Sequence, residues 1–547
     1  MTPRPTRDCL PRCTDADSRV TRGDGAVRMP ARKALGIACA VTTVGFVTLV
    51  GCGSAPDAPA ANGSQVQLFE EAYSGISRYY IEPVRPAALA MAGLGNLARI
   101  DAGLSVERAG DQVILHDASA ATRFSAPDAQ DTQGWAVLTD AVVTTARGRS
   151  PAVAALSPSS LDQRVLEGTM GMLDRFSHYM APEIARERRA SREGFGGIGV
   201  SLDTEGADVR IAEVLPDTPA ALAGLRVDDI IIAIDGVDTA TLPREEAVQR
   251  LRGPADSVVT LAVARAGLPE RLRIALQRAR IVPPTVTLKE GYGVAHLRLT
   301  SFNQQTAQSL ADLLRQAHRD MGSALHGIIL DLRGNPGGLL DQSVEAASLF
   351  LDGVPVTSTV GRVPESIQYF TAPHREVERL PLVVLVNGGS ASASEIVAAA
   401  LQDTGRAVVV GSASYGKGTV QNVQHMPNDG EITVTWSRLI TPGGYILHEH
   451  GVVPTVCTAN VADGAGGVTN ALSRSANTLS AELGQARAGL DDAGWHKLRE
   501  LCPGQRDDHE IEVQAARRLL ADPVLYARAL GTAPGVARPL TTARMTR

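Results

Sequence analysis

Leu382-Val383-Val384-Leu385-Val386-Asn387-Gly388-Gly389-Ser390-Ala391-Ser392-Ala393-Ser394-Glu395-Ile396 contains a strand, a turn and a helix start in one line of sequence. The opening apolar run has no polar interruption, as expected of a strand covered on both faces. Asn387-Gly388-Gly389 breaks it. Ser392-Ala393-Ser394-Glu395 then fits a helix entrance, with a capping serine and a glutamate three positions on. Outward from this unit the same alternation repeats, with strands expected at 294–299, 327–332 and 407–410 and helices at 305–318, 340–350 and 394–402. Strand and helix in alternation predict an α/β core with parallel strands over 283–456.

The flanks read differently. Residues 190–282 show short β-runs at 198–202, 209–214, 229–234 and 258–264, an Asp235-Gly236 turn and one helix at 244–251, which predicts a mainly-β domain inserted before the core. Residues 66–189 carry helical periodicity near 67–99 and 160–179, interrupted by an inserted, partly β subdomain at about 101–150. Residues 457–547 hold two amphipathic segments, near 480–502 and 508–530, and form a helical C-terminal region.

With 547 residues, 44% hydrophobic and 20% charged, the chain has room for two to four domains, and a net charge of -6 argues against a nucleic-acid partner. Arg32-Lys33 precedes an uncharged run, 34–50, ending in Leu49-Val50-Gly51-Cys52. This reads as an export signal of the bacterial lipoprotein type, with Cys52 as the lipidated first residue, 53–65 as a tether and an uncleaved anchor helix as the rival reading. The chain is therefore expected outside the cytoplasm, in the periplasm or cell envelope, held to a membrane by lipid. Residues 1–28 fit no signal, which makes Met29 the expected start. Of six cysteines, Cys9 and Cys13 precede Met29, Cys39 lies in the signal and Cys52 is the lipidation candidate. Cys457 and Cys502 remain, and a disulfide between them would tie the C-terminal region to the core. Two cysteines alone do not establish that pairing.

Two glycine-rich stretches imitate nucleotide sites. Gly194-Phe195-Gly196-Gly197-Ile198-Gly199 satisfies a dinucleotide fingerprint by letter, but a β-run follows where a helix is required. Such a loop instead offers backbone N–H groups to a peptide's terminal carboxylate, beside a strand edge that can pair with the peptide. Gly411-Ser412-Ala413-Ser414-Tyr415-Gly416-Lys417-Gly418 lacks the hydroxyl after its lysine that a phosphate loop needs for magnesium. Its Ser414–Lys417 spacing copies penicillin-binding enzymes, which place the pair on a helix; the flanking glycines oppose one. Neither a metal-ligand set nor a cofactor motif is evident in the sequence.

Ser392 reads two ways: a helix cap, or a nucleophile at the positive end of a helix whose next N–H meets developing negative charge. No triad histidine is evident nearby, so a base must come from elsewhere. Lys417 serves only if burial or a neighbouring cation lowers its pKa by about three units. Asp331-Leu332-Arg333-Gly334-Asn335-Pro336-Gly337-Gly338 follows another apolar strand, and its glycines free N–H groups to face a cleft.

Assembled, these residues resemble the carboxyl-terminal processing peptidases, or tail-specific proteases, over about 166–456. The resemblance rests on Leu173-Asp174-Arg175-Phe176-Ser177-His178-Tyr179, the Phe195 to Val200 loop, Thr218-Pro219-Ala220 with Ala223-Gly224-Leu225, the Asp331 to Gly338 turn, Ser390 to Glu395, and Tyr415 to Gln421. It implies Ser392 as nucleophile, Lys417 as general base and Gln421 as the residue orienting the lysine. It also implies an oxyanion site from Ala393 with Gly338 or Gly337, and a PDZ module binding apolar C-termini through Gly197, Ile198, Gly199 and Val200, with Ala247 and Leu251 as pocket walls. Arg175-Phe176 departs from the family's usual Pro-His. The partners implied are protein or peptide tails, with a second copy or an adaptor left open. A non-catalytic envelope scaffold is the rival from another class, and a phosphate-loop nucleotide binder the third reading.

Overall fold

The computed structural model describes residues 63–203, 208–462, 464–474 and 489–531. The export signal, Met29, Cys9, Cys13, Cys39, Cys52 and most of the tether fall outside the described residues.

A helix spans Gly63–Tyr79, starting inside the segment expected as tether. Phe69, Tyr73 and Ile76 recur at helical spacing and are fully buried. They meet Trp135, Val142 and Leu166 in one core, shared by the helices Pro86–Gly95, Thr132–Arg149 and Pro158–Met170. The expected inserted subdomain is therefore smaller than 101–150. Only the three-stranded antiparallel sheet Ser105–Ala109, Gln112–His116 and Ala121–Ser125 stands as the β element. The helix Thr132–Arg149, capped where Asp131 accepts from Gly134 N–H, belongs to the helical core.

The inserted domain packs Ile198, Ile211, Ile231, Ile234, Val259 and Leu261 around the helix Arg244–Leu251. One strand was expected over 198–202. The structure has two short ones, Phe195–Gly197 and Val200–Leu202, because Gly199 adopts φ 84° and turns the chain between them.

The core sheet runs Val286–Gly291, Val294–Leu299, Gly327–Asp331, Leu382–Val386, Val408–Gly411, Val456–Cys457 in spatial order. All neighbours are parallel except the first pair. Leu330, Val384 and Val409 face the helices Thr306–Met321, Leu340–Ser348 and Ala393–Asp403. Ile329, Val383 and Val408 face Ala465–Arg474 and Glu510–Ala521. The C-terminal helices thus cover the second face, which is why these strands can be apolar throughout. The segment expected as one helix over 508–530 breaks at Asp522, whose carboxylate accepts from Val524 and Leu525 N–H ahead of Pro523–Gly531. The helix expected near 480–502 is described only as Asp492–Leu501.

Parallel strands do not account for the whole core. Pro355–Gly361, Gln368–Thr371, Thr419–His425 and Glu431–Ile440 form an antiparallel sheet, extended by His178–Met180. Ile432 and Val434 from this sheet, and Met426 from the turn between its last two strands, enter the N-terminal helical core.

Cys457 and Cys502 form a disulfide with Cα atoms 5.9 Å apart, 45 residues apart in sequence. Closing a loop of that length stabilises the fold by about 4 kcal/mol through the unfolded chain. Urea melts with and without reductant should differ by that order, and coincident melts would show that the bridge adds nothing.

Candidate active site

The strand Leu382–Val386 delivers the chain to a turn held by side-chain hydrogen bonds. Asn387 Oδ1 accepts from Gly389 N–H at 2.9 Å and from Gly334 N–H at 2.8 Å, and Ser390 Oγ donates to the Leu332 carbonyl at 2.8 Å. Ala391 N–H and Ser394 Oγ both donate to the Asn335 carbonyl, at 2.9 and 2.7 Å. The glycine turns that follow two adjacent parallel strands are thereby joined at the carboxyl edge of the sheet, where α/β folds place their sites. Ser392 emerges half-buried ahead of a wholly buried helix, at φ 56° and ψ -115°. A non-glycine residue held there costs about 1–3 kcal/mol, a strain concentrated at functional turns.

Glu395 reaches back to accept from Ser392 N–H at 2.7 Å, as the capping pattern expects. The same Oε2 also accepts from Lys417 N–H at 2.9 Å. Its Oε1 accepts from Gly416 N–H at 2.6 Å and Ser414 Oγ at 2.5 Å. One fully buried carboxylate thus ties the backbones of Ser392 and Lys417 to a single oxygen. Burial pushes the Glu395 carboxyl up, opposed by these four donors.

Residues 413–418 are non-helical and a strand, Thr419–His425, follows Lys417. The penicillin-binding geometry and the phosphate loop are both absent from this turn. Lys417 is half-buried, and burial lowers its pKa against the opposing pull of Glu395 and Asp174. Its Nζ lies 5.4 Å from the centre of the Phe176 ring, within cation–π range. No described hydrogen bond joins it to Ser392 Oγ. Gln421 lies just past a β-bulge, and its Nε2 donates to Thr419 Oγ1 at 2.8 Å and Thr435 Oγ1 at 3.4 Å. It makes no described hydrogen bond to Lys417.

Two glycines were candidates for the oxyanion donor, and geometry separates them. Gly337 N–H already donates to Asn335 Oδ1 at 2.8 Å. Gly338 N–H has no described acceptor, and neither has that of Ala393 at the first position of the helix. Gly338 sits at φ 151°, where a Cβ would stand 2.1 Å from the Phe302 carbonyl oxygen. Gly338→Ala is therefore expected to displace this amide and lower kcat by roughly 10²–10³-fold, with a smaller change in KM; steady-state kinetics on a quenched peptide would check it.

In the inserted domain, Gly197 pairs with Ala279 and Val200 with Val214. Among the described strands Val200–Leu202 has a partner on one edge only, leaving the other for an added peptide strand. Ile198 is 2% exposed, Ala247 0% and Leu251 5%. Ala247 and Leu251, the expected pocket walls, and Ile198 from the loop all pack into the domain core.

Short-range spacing marks Glu395 only as a cap and does not mark Asn335 or Asn387. Each of these works through partners dozens of residues away, which short spacing does not reveal.

Residues 293–458 match peptidase family S41 and residues 185–264 match the PDZ domain. A carboxy-terminal-processing protease of Bartonella bacilliformis is 36% identical over 302 residues, covering 54% of this chain and 70% of that protein. A carboxyl-terminal-processing protease of Synechocystis is 36% identical, covering 53% and 69%, and carboxy-terminal processing protease CtpB of Bacillus subtilis is 34% identical, covering 54% and 63%. With a PDZ domain ahead of an α/β peptidase core, this chain belongs to the carboxy-terminal-processing proteases of peptidase family S41.

Proposed function

We propose that this protein is an endopeptidase of the bacterial cell envelope that cleaves protein substrates by a serine–lysine acyl-enzyme mechanism. The observation that carries this reading is the Glu395 carboxylate gripping Ser392 N–H and Lys417 N–H beside the Ala393 and Gly338 amides, which have no acceptor among the described residues. Neutral Lys417 takes the proton of Ser392 Oγ as that oxygen attacks a peptide carbonyl. The Ala393 and Gly338 amides receive the oxyanion, the lysinium returns its proton to the leaving amine, and water then releases the acyl group. For this, Lys417 Nζ swings from the Phe176 ring toward Ser392. Gln421 accepts from it through the carbonyl oxygen that its threonine contacts leave unused.

The PDZ domain recruits apolar C-terminal tails by strand addition at Val200–Leu202, their carboxylates meeting the Gly197 to Gly199 amides. Cys52 carries a lipid that holds the enzyme at a membrane. Acid-quenching a reaction with an ester substrate and mapping peptides by mass should find the acyl group on Ser392, and no adduct with Lys417→Met. Acylation elsewhere, or unaltered in Lys417→Met, would refute the mechanism. Amidating a substrate's C-terminus should raise KM several-fold with little change in kcat. Cys52→Ala should move the protein from the membrane to the soluble fraction.

Because Lys417 must be neutral to act, kcat/KM should rise with pH through its lowered pKa, giving an acid limb below the range of an ordinary lysine. A pH–rate profile checks this, and a limb at the ordinary lysine pKa would contradict it.

A further inference from the structure

Glu395 raises a difficulty for the site it organises. A buried carboxylate next to Lys417 favours the charged lysine, the form unable to act as base. The other charged or titratable groups around Lys417 are Asp174 and Arg175 on the turn with Phe176, Arg438 on the strand Glu431–Ile440, and His448 and Glu449 on the loop against Gly418. None of these touches Glu395 among the described hydrogen bonds and ion pairs.

Arg499 does approach it, from the helix Asp492–Leu501, beyond residues 293–458 that match the peptidase family. Its Nη2 donates to the Ser414 carbonyl at 2.9 Å and its Nη1 to the His450 carbonyl at 2.7 Å. Gly451 leaves the room for it. A Cβ there would stand 2.7 Å from Arg499 Nη1, 2.8 Å from Ser414 Oγ and 3.2 Å from Glu395 Oε1. The guanidinium has no carboxylate within ion-pair distance among the described residues, and Glu395 is the acid whose charge acts on it. The rest of the segment is anchored beside the same turns. Gly388 N–H donates to the Gln505 carbonyl at 2.6 Å, Asn387 Nδ2 donates to the Arg506 carbonyl at 3.0 Å, and Cys502 is bonded to Cys457.

We propose that Arg499 is a positioning residue for proteolysis: it clamps the turn bearing Lys417 and balances the Glu395 carboxylate, so that Glu395 can join Ser392 and Lys417 without charging the lysine. The C-terminal helical region is then part of the peptidase site as well as a cover for the sheet. This rests on the serine–lysine reading above.

The test is the pH profile of kcat/KM for the full chain on a quenched peptide. With Arg499→Met, the acid limb should move up by about one pH unit, so that activity on that limb falls about tenfold and recovers at alkaline pH. Arg499→Lys, which keeps the charge, should leave the limb near its wild-type position. Gly451→Ala, which retains Arg499 but pushes it from Glu395, should shift the limb upward too and covers the case in which Arg499→Met does not fold. Trp495→Leu, on the same helix and buried without contact to Glu395, controls for loosened packing and should not move the limb. A limb unmoved or lowered in Arg499→Met and Gly451→Ala, or a loss equal at every pH, overturns the proposal. If instead Ser392→Ala retains activity, the dyad reading fails, which separates the two failures.

Discussion

Ser392→Ala is expected to lower peptide hydrolysis by roughly 10⁴-fold or more while leaving the melting transition within a few degrees of wild type. The residue is half-buried, its backbone stays tied to Glu395 in the variant, and alanine at φ 56° carries the same Cβ strain as serine. Nothing in the packing is removed except one hydroxyl. A protein that keeps its fold and still cuts unstructured substrates at the wild-type rate would show that another residue attacks the carbonyl. Complete inactivity of wild type and variant alike would favour the scaffold reading.

The second large effect is expected at Glu395. Glu395→Ala strands three backbone N–H groups, that of Gly416 buried and those of Ser392 and Lys417 partly so, and the Ser414 hydroxyl without acceptors, a loss of about 3–5 kcal/mol measurable as a lower urea midpoint. Glu395→Gln is the sharper probe. The side chain keeps its volume, but its NH₂ must face either the Ser392 and Lys417 N–H groups or the Gly416 N–H group, so the tie between the two turns is broken or loosened. A misplacement of about 1 Å in a catalytic pair costs on the order of 10²-fold, so kcat should fall by that factor with KM little changed. If Glu395→Gln retains kcat within twofold, the carboxylate is a helix cap and no more.

Where expectation and structure agree to the residue, the signal is local. Val294–Leu299, Leu382–Val386, Val258–Ala264 and Arg244–Leu251 each end at a breaker or a change of period, so short-range steric preference settles their limits. The antiparallel sheet in the second half of the core was not legible. The Thr-rich strand Pro355–Gly361 has no preference for the direction of its neighbour, and pairing with Ile440 arises only when the chain returns eighty residues later. The expected subdomain at about 101–150 takes in the residues of the helix Thr132–Arg149, which packs with the helical core, for a related reason. Trp135 and Val142 show that a face must be buried, not that Phe69 and Leu166 bury it.

At the site the division is similar. Sequence alone singled out Ser392 and Lys417 as the groups proposed to react, since a serine at a strand-to-helix turn and a lysine between glycines are local features, and it placed the glutamate that caps the helix. Tertiary structure alone decided that this glutamate also holds Lys417, that Gly337 and not Gly338 spends its amide on a described acceptor, and that Arg499 stands behind the carboxylate. The physical reason is that a hydrogen bond or buried charge acquires its partner from whatever the fold brings within a few ångströms, and that distance is set by the packing of the whole chain.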